Sequence, residues 1–330
     1  MYTSQRELWR RAMIVTVTLN PAVDKMYWVD GLKMCDVTQE EFLTRAIRSS
    51  TSAGGKGVNI SVFLSRFGME NVAMGFVGGH TGHVVVRDLR DEGVTTNFVW
   101  THGETRINVT LLQVGREHSP NLVNEAGQTI LPVEVDRLMR RYRGMLSRAT
   151  WVVLGGSIPP GVDPGIYGEM AKMAKDAGAK VILSTGGEAL TRALGAFPYI
   201  VKPDTREHMT LEGKGLTSVD AIVDAGRHMI AVGAEIVIIS HDVTGDIAIT
   251  RNDVWEIKAA TPTSKFKNLV GADDVFLGGI LYKLVQDAPL EEALKFGLAA
   301  GLASAESEEK ICRNMDVIEQ ELQGITLARL

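Results

Sequence analysis

A series of short, unbroken aliphatic runs, separated by helical patterns, constrains this chain more than any other feature. MIVTVTL (Met13–Leu19), TWVVL (Thr150–Leu154), KVIL (Lys180–Leu183), YIV (Tyr199–Val201) and EIVIIS (Glu235–Ser240) are such runs, and Asn71–Val77 reads as a further strand. Strands that lack polar alternation are buried on both faces. Helical spacing of apolar residues at Gly57–Phe67, His83–Glu92, Pro164–Ala177 and Val219–Val232 supplies the covering layers. The pattern predicts an α/β fold, doubly wound, with a mostly parallel sheet flanked by helices. Leu290–Ala305 is expected to be the final helix, packed on that sheet. Two regions break the rhythm: Lys25–Ile47 and Arg106–Gln113 are β-rich with no helix between strands. They predict a small β-rich lid formed from about residues 25–47 and 106–118. A bare sheet of that size needs a partner surface, so a homodimer through the lid is expected. The lid belongs to one domain spanning 13–330, and residues 1–12 read as an N-terminal extension.

Composition narrows the function. The 330 residues are 45% hydrophobic and 23% charged, with a formal net charge of −5. That balance argues against an electrostatic nucleic-acid binder, while a local cluster of cations could still hold a small anion. No run approaches the roughly 20 apolar residues that span a bilayer. MYTSQRELWRRA lacks the apolar core of a signal peptide. Cys35 and Cys312 are too few for a disulfide framework, so a cytoplasmic location fits. The seven histidines show no metal-ligand spacing.

In open α/β sheets ligands bind beyond the carboxyl ends of the strands. Asn20-Pro21-Ala22-Val23-Asp24 follows the first run, and by itself could be a turn with a solvated Asp24. Ser52-Ala53-Gly54-Gly55-Lys56-Gly57-Val58-Asn59 reads as a glycine-rich loop entering a helix, where backbone amides and Lys56 suit an anion. It could equally be a connector, and it lacks P-loop spacing. Gly155-Gly156-Ser157-Ile158-Pro159-Pro160-Gly161 follows TWVVL as a tight turn. Gly271-Ala272-Asp273-Asp274 opens an apolar helical stretch with two adjacent carboxylates.

Taken in order, TLNPAVDK, AGGKGVN, TRINV, GSIPPG, KPDTRE and GADDVFLGG resemble the PfkB family of sugar kinases, within the ribokinase-like fold. The similarity is greatest to its 1-phosphofructokinase and tagatose-6-phosphate kinase branch. It implies ATP-dependent transfer of the γ-phosphoryl group to a hydroxyl of a sugar phosphate. Asp274 is then the catalytic base. Asp24, Gly54, Gly55, Lys56, Asn59, Arg106 and Ser157 bind the substrate, and the backbone of Gly271, Ala272 and Asp273 forms an anion hole. Nucleotide contacts fall at Lys202, Asp204, Ser240 and Gly245. Mg2+ bridges the nucleotide phosphates, with Glu207 helping to hold it.

The departures from the family pattern fall mostly on the nucleotide half. Asp273 stands where the family keeps a glycine, and Asp204 where it keeps an asparagine. Ser240–Asp246 differs from the usual nucleotide loop, Ser184-Thr185-Gly186-Gly187 from the usual Asp-Thr-Ser-Gly, and Thr38-Gln39 from an Asn-Arg pair in the lid. A carboxylate about 5 Å from a phosphate charge, at an effective dielectric of about 20, is repelled by roughly 3 kcal/mol. Asp273 could escape that penalty by pointing outward or by binding the metal. A catalytically weakened or non-catalytic sugar-phosphate or nucleotide-binding protein on the same scaffold therefore stays open as the alternative.

Overall fold

A computed structural model describes residues 13–32, 43–205, 210–211, 214–216, 218–242 and 244–330. In chain order the first elements are β1 (Met13–Thr18), β2 (Ala22–Val29), β3 (Ala46–Gly54), α1 (Lys56–Arg66), β4 (Asn71–Gly78), α2 (Gly79–Asp91), β5 (Thr95–Thr96) and β6 (Val99–Thr101). Next come β7 (Arg106–Gln113), β8 (Asn121–Asn124), α3 (Pro132–Leu146), β9 (Ala149–Gly155), α4 (Ile166–Asp176), β10 (Lys180–Ser184), α5 (Gly187–Leu194) and β11 (Ile200–Val201). Then follow β12 (Thr210–Leu211), β13 (Lys214–Gly215), α6 (Val219–Val232), β14 (Ile236–Asp242), β15 (Gly245–Thr250) and β16 (Val254–Ala259). The chain closes with α7 (Ala272–Leu284), α8 (Leu290–Ala305), α9 (Met315–Leu322) and β17 (Ile325–Arg329).

The main sheet has eleven strands, ordered β17-β16-β15-β14-β11-β10-β9-β1-β4-β5, with β6 also paired to β4. From β14 to β5 it is parallel, as the apolar runs require. The strands β15, β16 and β17 extend it in antiparallel fashion. Both faces are covered. Ile14 of β1 joins the core under α1, α7 and α8, whereas Val15 and Val17 join the core under α3, α4, α5 and α6. That double burial is why β1 carries no polar alternation. Leu290–Ala305 is a helix but not the final one, because α9 and β17 follow it and β17 pairs with β16.

A second sheet of four strands, ordered β3-β2-β7-β8, stands over one end of the main sheet. Its strands extend past the ranges expected from sequence: β3 runs through 46–54, taking in residues 52–54 of the expected glycine-rich loop, and β8 lies at 121–124. Three of its strands leave the body side by side, with Ala22 in register with both Gly54 and Arg106. Thr38-Gln39, Cys35, Val243 and Glu207 lie outside the described residues.

Candidate active site

The chain winds away from β1 to β4 on one side and to β9 on the other, so the carboxyl ends of β1 and β9 diverge into a crevice. A cleft of about 680 Å3 opens there under the small sheet. Asp24, Gly55, Lys56, Asn59, Arg106, Ser157, Asp204, Gly271 and Asp274, distant in sequence, all line it. Gly54 sits just behind the wall, where a Cβ would lie 2.2 Å from Asp24 Oδ2. No side chain fits between that strand end and the carboxylate.

Asp274 stands in the first turn of α7, whose N-cap Gly271 has φ +83°, a conformation that favours glycine. Its Oδ2 accepts a hydrogen bond from Asn59 Nδ2 at 2.7 Å. Its Oδ1 is buried without a hydrogen-bond partner, 3.6 Å from Lys56 Nζ. Lys56 opens α1, where the helix dipole disfavours a cation. Two carboxylates offset this, since Asp204 Oδ2 lies 3.3 Å from the same ammonium. Within the anion-hole turn, the Ala272 amide donates to the Leu269 carbonyl at 3.3 Å. The neighbouring amides of Gly271, Asp273 and Asp274 belong to the helix start, whose donors point out along the axis.

The other end of the cleft gathers buried hydrogen-bond acceptors. Asp24 Oδ1 accepts from Asn108 Nδ2 at 3.1 Å, and Asp24 Oδ2 from Lys310 Nζ at 2.9 Å. Asn59 Oδ1 and Asn108 Oδ1 are, like Asp274 Oδ1, buried acceptors without a partner. A polyhydroxylated ligand supplies what such oxygens lack, because buried acceptors need donors. Arg106 is half-buried beside them. Its Nε and Nη1 donate to the Asn20 and Glu125 carbonyls at 3.2 and 2.9 Å. Burial pulls its guanidinium below the ordinary value, with Asp24 and Glu125 opposing that pull. Ser157 accepts from Asn20 Nδ2 at 3.2 Å, which ties the loop after β9 to the loop after β1.

Asp273, Lys202 and Ser240 form a separate cluster outside the lining of that cleft. Lys202, only 2% exposed, bonds Ser240 Oγ at 2.7 Å and Asp246 Oδ1 at 2.9 Å. Its ammonium also lies 3.3 Å from Asp273 Oδ1. Burial opposes the charge on Lys202, but Asp246 and Asp273 outweigh it and hold its pKa above the ordinary lysine value. Asp273 thus turns toward a buried cation. Gly245 lies at the start of β15, in register with Asp242 and Lys258. Among the described residues no cluster of three or more His, Cys, Asp or Glu could hold a metal by itself.

Lys310, Asn108, Asn20 and Asp246 are polar contributors that the sequence reading did not single out. Asn20 and Asn108 stand inside TLNPAVDK and TRINV, so their motifs already carried the signal. Lys310, in ESEEKICRN, gives no such sign.

The pfkB family carbohydrate kinase model matches residues 18–313. The chain belongs to this family. A 1-phosphofructokinase of Bacillus subtilis (strain 168) is 35% identical over 318 residues, covering 96% of this chain and all of that one. A D-tagatose-1-phosphate kinase of Bacillus licheniformis is 31% identical over 297 residues, 90% of this chain and 93% of the relative. Among solved structures, a possible 1-phosphofructokinase from Thermotoga maritima superposes with a TM-score of 0.87 at 33% identity, covering 96% of this chain and 99% of that one. The fold is the ribokinase-like α/β fold of the pfkB kinases. As a member of the family the protein is an ATP-dependent carbohydrate kinase, a phosphotransferase acting on a sugar hydroxyl.

Proposed function

We propose that this kinase phosphorylates a ketohexose 1-phosphate, with fructose 1-phosphate the first acceptor to test and tagatose 1-phosphate the second. One observation carries the reading: the buried, partnerless Oδ1 of Asp274, with Oδ2 fixed by Asn59, is an acceptor waiting for a hydroxyl proton. The relatives named for 1-phosphate acceptors favour that class over a 6-phosphate. The departures on the nucleotide half lend no support to a non-catalytic alternative, since Lys202 offsets Asp273.

The steps follow from the residues. Asp24, Asn59 and Asn108 accept and donate to the sugar hydroxyls, and Arg106 meets the acceptor's phosphate with its planar fork. Asp274 takes the proton of the attacking hydroxyl. The opening amides of α7 at Gly271, Asp273 and Asp274 stabilise the charge on the transferred phosphoryl group. Lys56 keeps Asp204 and Asp274 from repelling the phosphates. Mg2+ carried on ATP would neutralise the phosphate charge. The residues fit an ion that keeps its waters and takes one or two carboxylates, with Asp204 at the cleft wall as the candidate, and Glu207 expected from sequence. An ATP-consuming enzyme with a buried free thiol at Cys312 fits the cytoplasm.

The protein works as a homodimer through the outer face of the small sheet. Strand alternation puts Tyr27, Ile47, Val109, Leu111 and Val123 on that face, with Ile47 65% and Val123 60% exposed. Light scattering at micromolar concentration should give twice the chain mass, and Val123→Lys should return it to the monomer. A monomeric wild type excludes the dimer.

A panel of ketohexoses and their 1- and 6-phosphates with Mg-ATP, followed by ADP release, tests the reaction. The largest kcat/KM is expected with fructose 1-phosphate. Acceptor binding without turnover across the whole panel would overturn the proposal.

A further inference from the structure

Lys310 lies on the loop between α8 and α9, in a stretch of sequence that reads as solvated, yet it is only 7% exposed. Its ammonium donates to Asp24 Oδ2 at 2.9 Å and to the Ala53 carbonyl. Its stem closes on the start of α7: a Cβ on Gly271 would lie 3.4 Å from Lys310 Cγ. One side chain therefore touches the carboxylate at the acceptor end, the strand end beside it and the backbone turn that opens the phosphoryl end.

Asp24 is itself 5% exposed. A carboxylate buried to that degree stays charged only if it is paired or well hydrogen-bonded. Asn108 supplies one neutral donor to Oδ1, and Lys310 supplies the only cation within salt-bridge distance of Asp24 among the described residues. An ionised carboxylate accepts about four hydrogen bonds, and the lysine and asparagine take one each. Asp24 lines the cleft, so its remaining lone pairs can accept from a ligand bound there. Gly54 makes the room that the carboxylate occupies, since a Cβ there would lie 2.2 Å from Asp24 Oδ2 and 2.4 Å from Oδ1.

We infer that Lys310 is a positioning residue for acceptor recognition: it holds the Asp24 carboxylate aimed so that it accepts hydrogen bonds from sugar hydroxyls. This rests on the acceptor role of Asp24 proposed above. Lys310 does not touch the substrate. Its effect reaches the sugar through Asp24, and the ATP end feels it only through packing at Gly271.

The test compares wild type, Lys310→Met, Lys310→Arg and Asp24→Asn in steady-state kinetics with fructose 1-phosphate and Mg-ATP. Lys310→Met should raise the sugar KM by about ten- to a hundredfold, the scale of a misplaced binding group. Its kcat and ATP KM should stay within about threefold. A loss confined to the sugar KM, with kcat and the ATP KM kept, is a split that a purely structural role would not produce. Lys310→Arg keeps the charge but not the geometry, so the sugar KM should still rise. An unchanged sugar KM in a folded Lys310→Met overturns the inference, as does a fall in kcat as large as the rise in KM. If Lys310→Met does not fold, Lys310→Arg decides, and an unchanged sugar KM there overturns it. Asp24→Asn separates the two levels: if it leaves the sugar KM unchanged, the acceptor assignment itself is wrong. If it raises the KM while the lysine variants do not, only the role of Lys310 fails.

Discussion

Two adjacent aspartates at the start of α7 have divergent surroundings, and this decides their roles. Asp274 is buried against Asn59 and Lys56 with one oxygen open to a proton. Asp274→Asn should leave acceptor binding by calorimetry nearly intact and cut kcat by about 10² or more, since base catalysis is worth roughly 10²–10⁴. Unchanged turnover would place the base elsewhere. Asp273 is 36% exposed at its side chain and shares Lys202 with Asp246. The full repulsion of roughly 3 kcal/mol estimated for a lone carboxylate is therefore mostly cancelled. Asp273→Gly should lower the ATP KM by less than about tenfold, whereas Lys202→Met, which leaves two carboxylates facing the phosphates, should raise it by about a hundredfold. Equal effects from the two variants would mean that the cluster is remote from the nucleotide. The sequence made Asp274 legible through its place after Gly271-Ala272. It could not show the fate of Asp273, because Lys202, Ser240 and Asp246 meet it only through the fold.

At the level of elements, Asp274 is only as well placed as the helix that carries it. α7 packs against α8 through glycines: a Cβ on Gly297 would lie 2.6 Å from Ile280 Cγ1 and 2.7 Å from the Phe276 carbonyl. Gly297→Ala should destabilise the protein by about 1–3 kcal/mol through overpacking, read as a shifted urea midpoint at constant slope. No shift would mean that the helices part without cost. A second link is ionic. Glu92, after α2, accepts from Arg66 at the end of α1 and from Arg313 before α9. The hydrogen bond from Arg66, helped by both charges against burial, holds its carboxyl below the usual value. For such a group the stabilisation is present above the unfolded pKa of about 4.3 and is lost as pH falls through the lower folded value. Glu92→Gln should thus cost about 1 kcal/mol near neutral pH and progressively less below about pH 4. A gap between wild type and variant that stays constant with pH would refute the link. The strands of the main sheet were readable because aliphatic runs report burial on both faces. β3 was not, since AIRSSTSAG is mostly exposed and is held by pairing with β2 rather than by apolar contact.

At the scale of the molecule, the alternation of runs and helices gave the layering and the position of the crevice, but not the antiparallel strands that extend the sheet. β15 begins inside the stretch read as a nucleotide loop, and ITLAR of β17 is too short to stand out. The small sheet carries a mechanical consequence. Its strands β2, β3 and β7 all meet the body at Ala22, Gly54 and Arg106, beside the cleft. The far ends at Val29 and Gln113 lie seven residues on, about 23 Å away at 3.3 Å per residue. A tilt of the sheet about its root sweeps those ends through a wide arc while Asp24 and Arg106 scarcely move. With the acceptor contacts proposed for Asp24 and Arg106, grip on the sugar would be set at the pivot, and shielding of the phosphoryl group from solvent at the tip. Loosening the tip should turn the enzyme into a leaky one, which spends ATP on water while its appetite for the sugar stays the same.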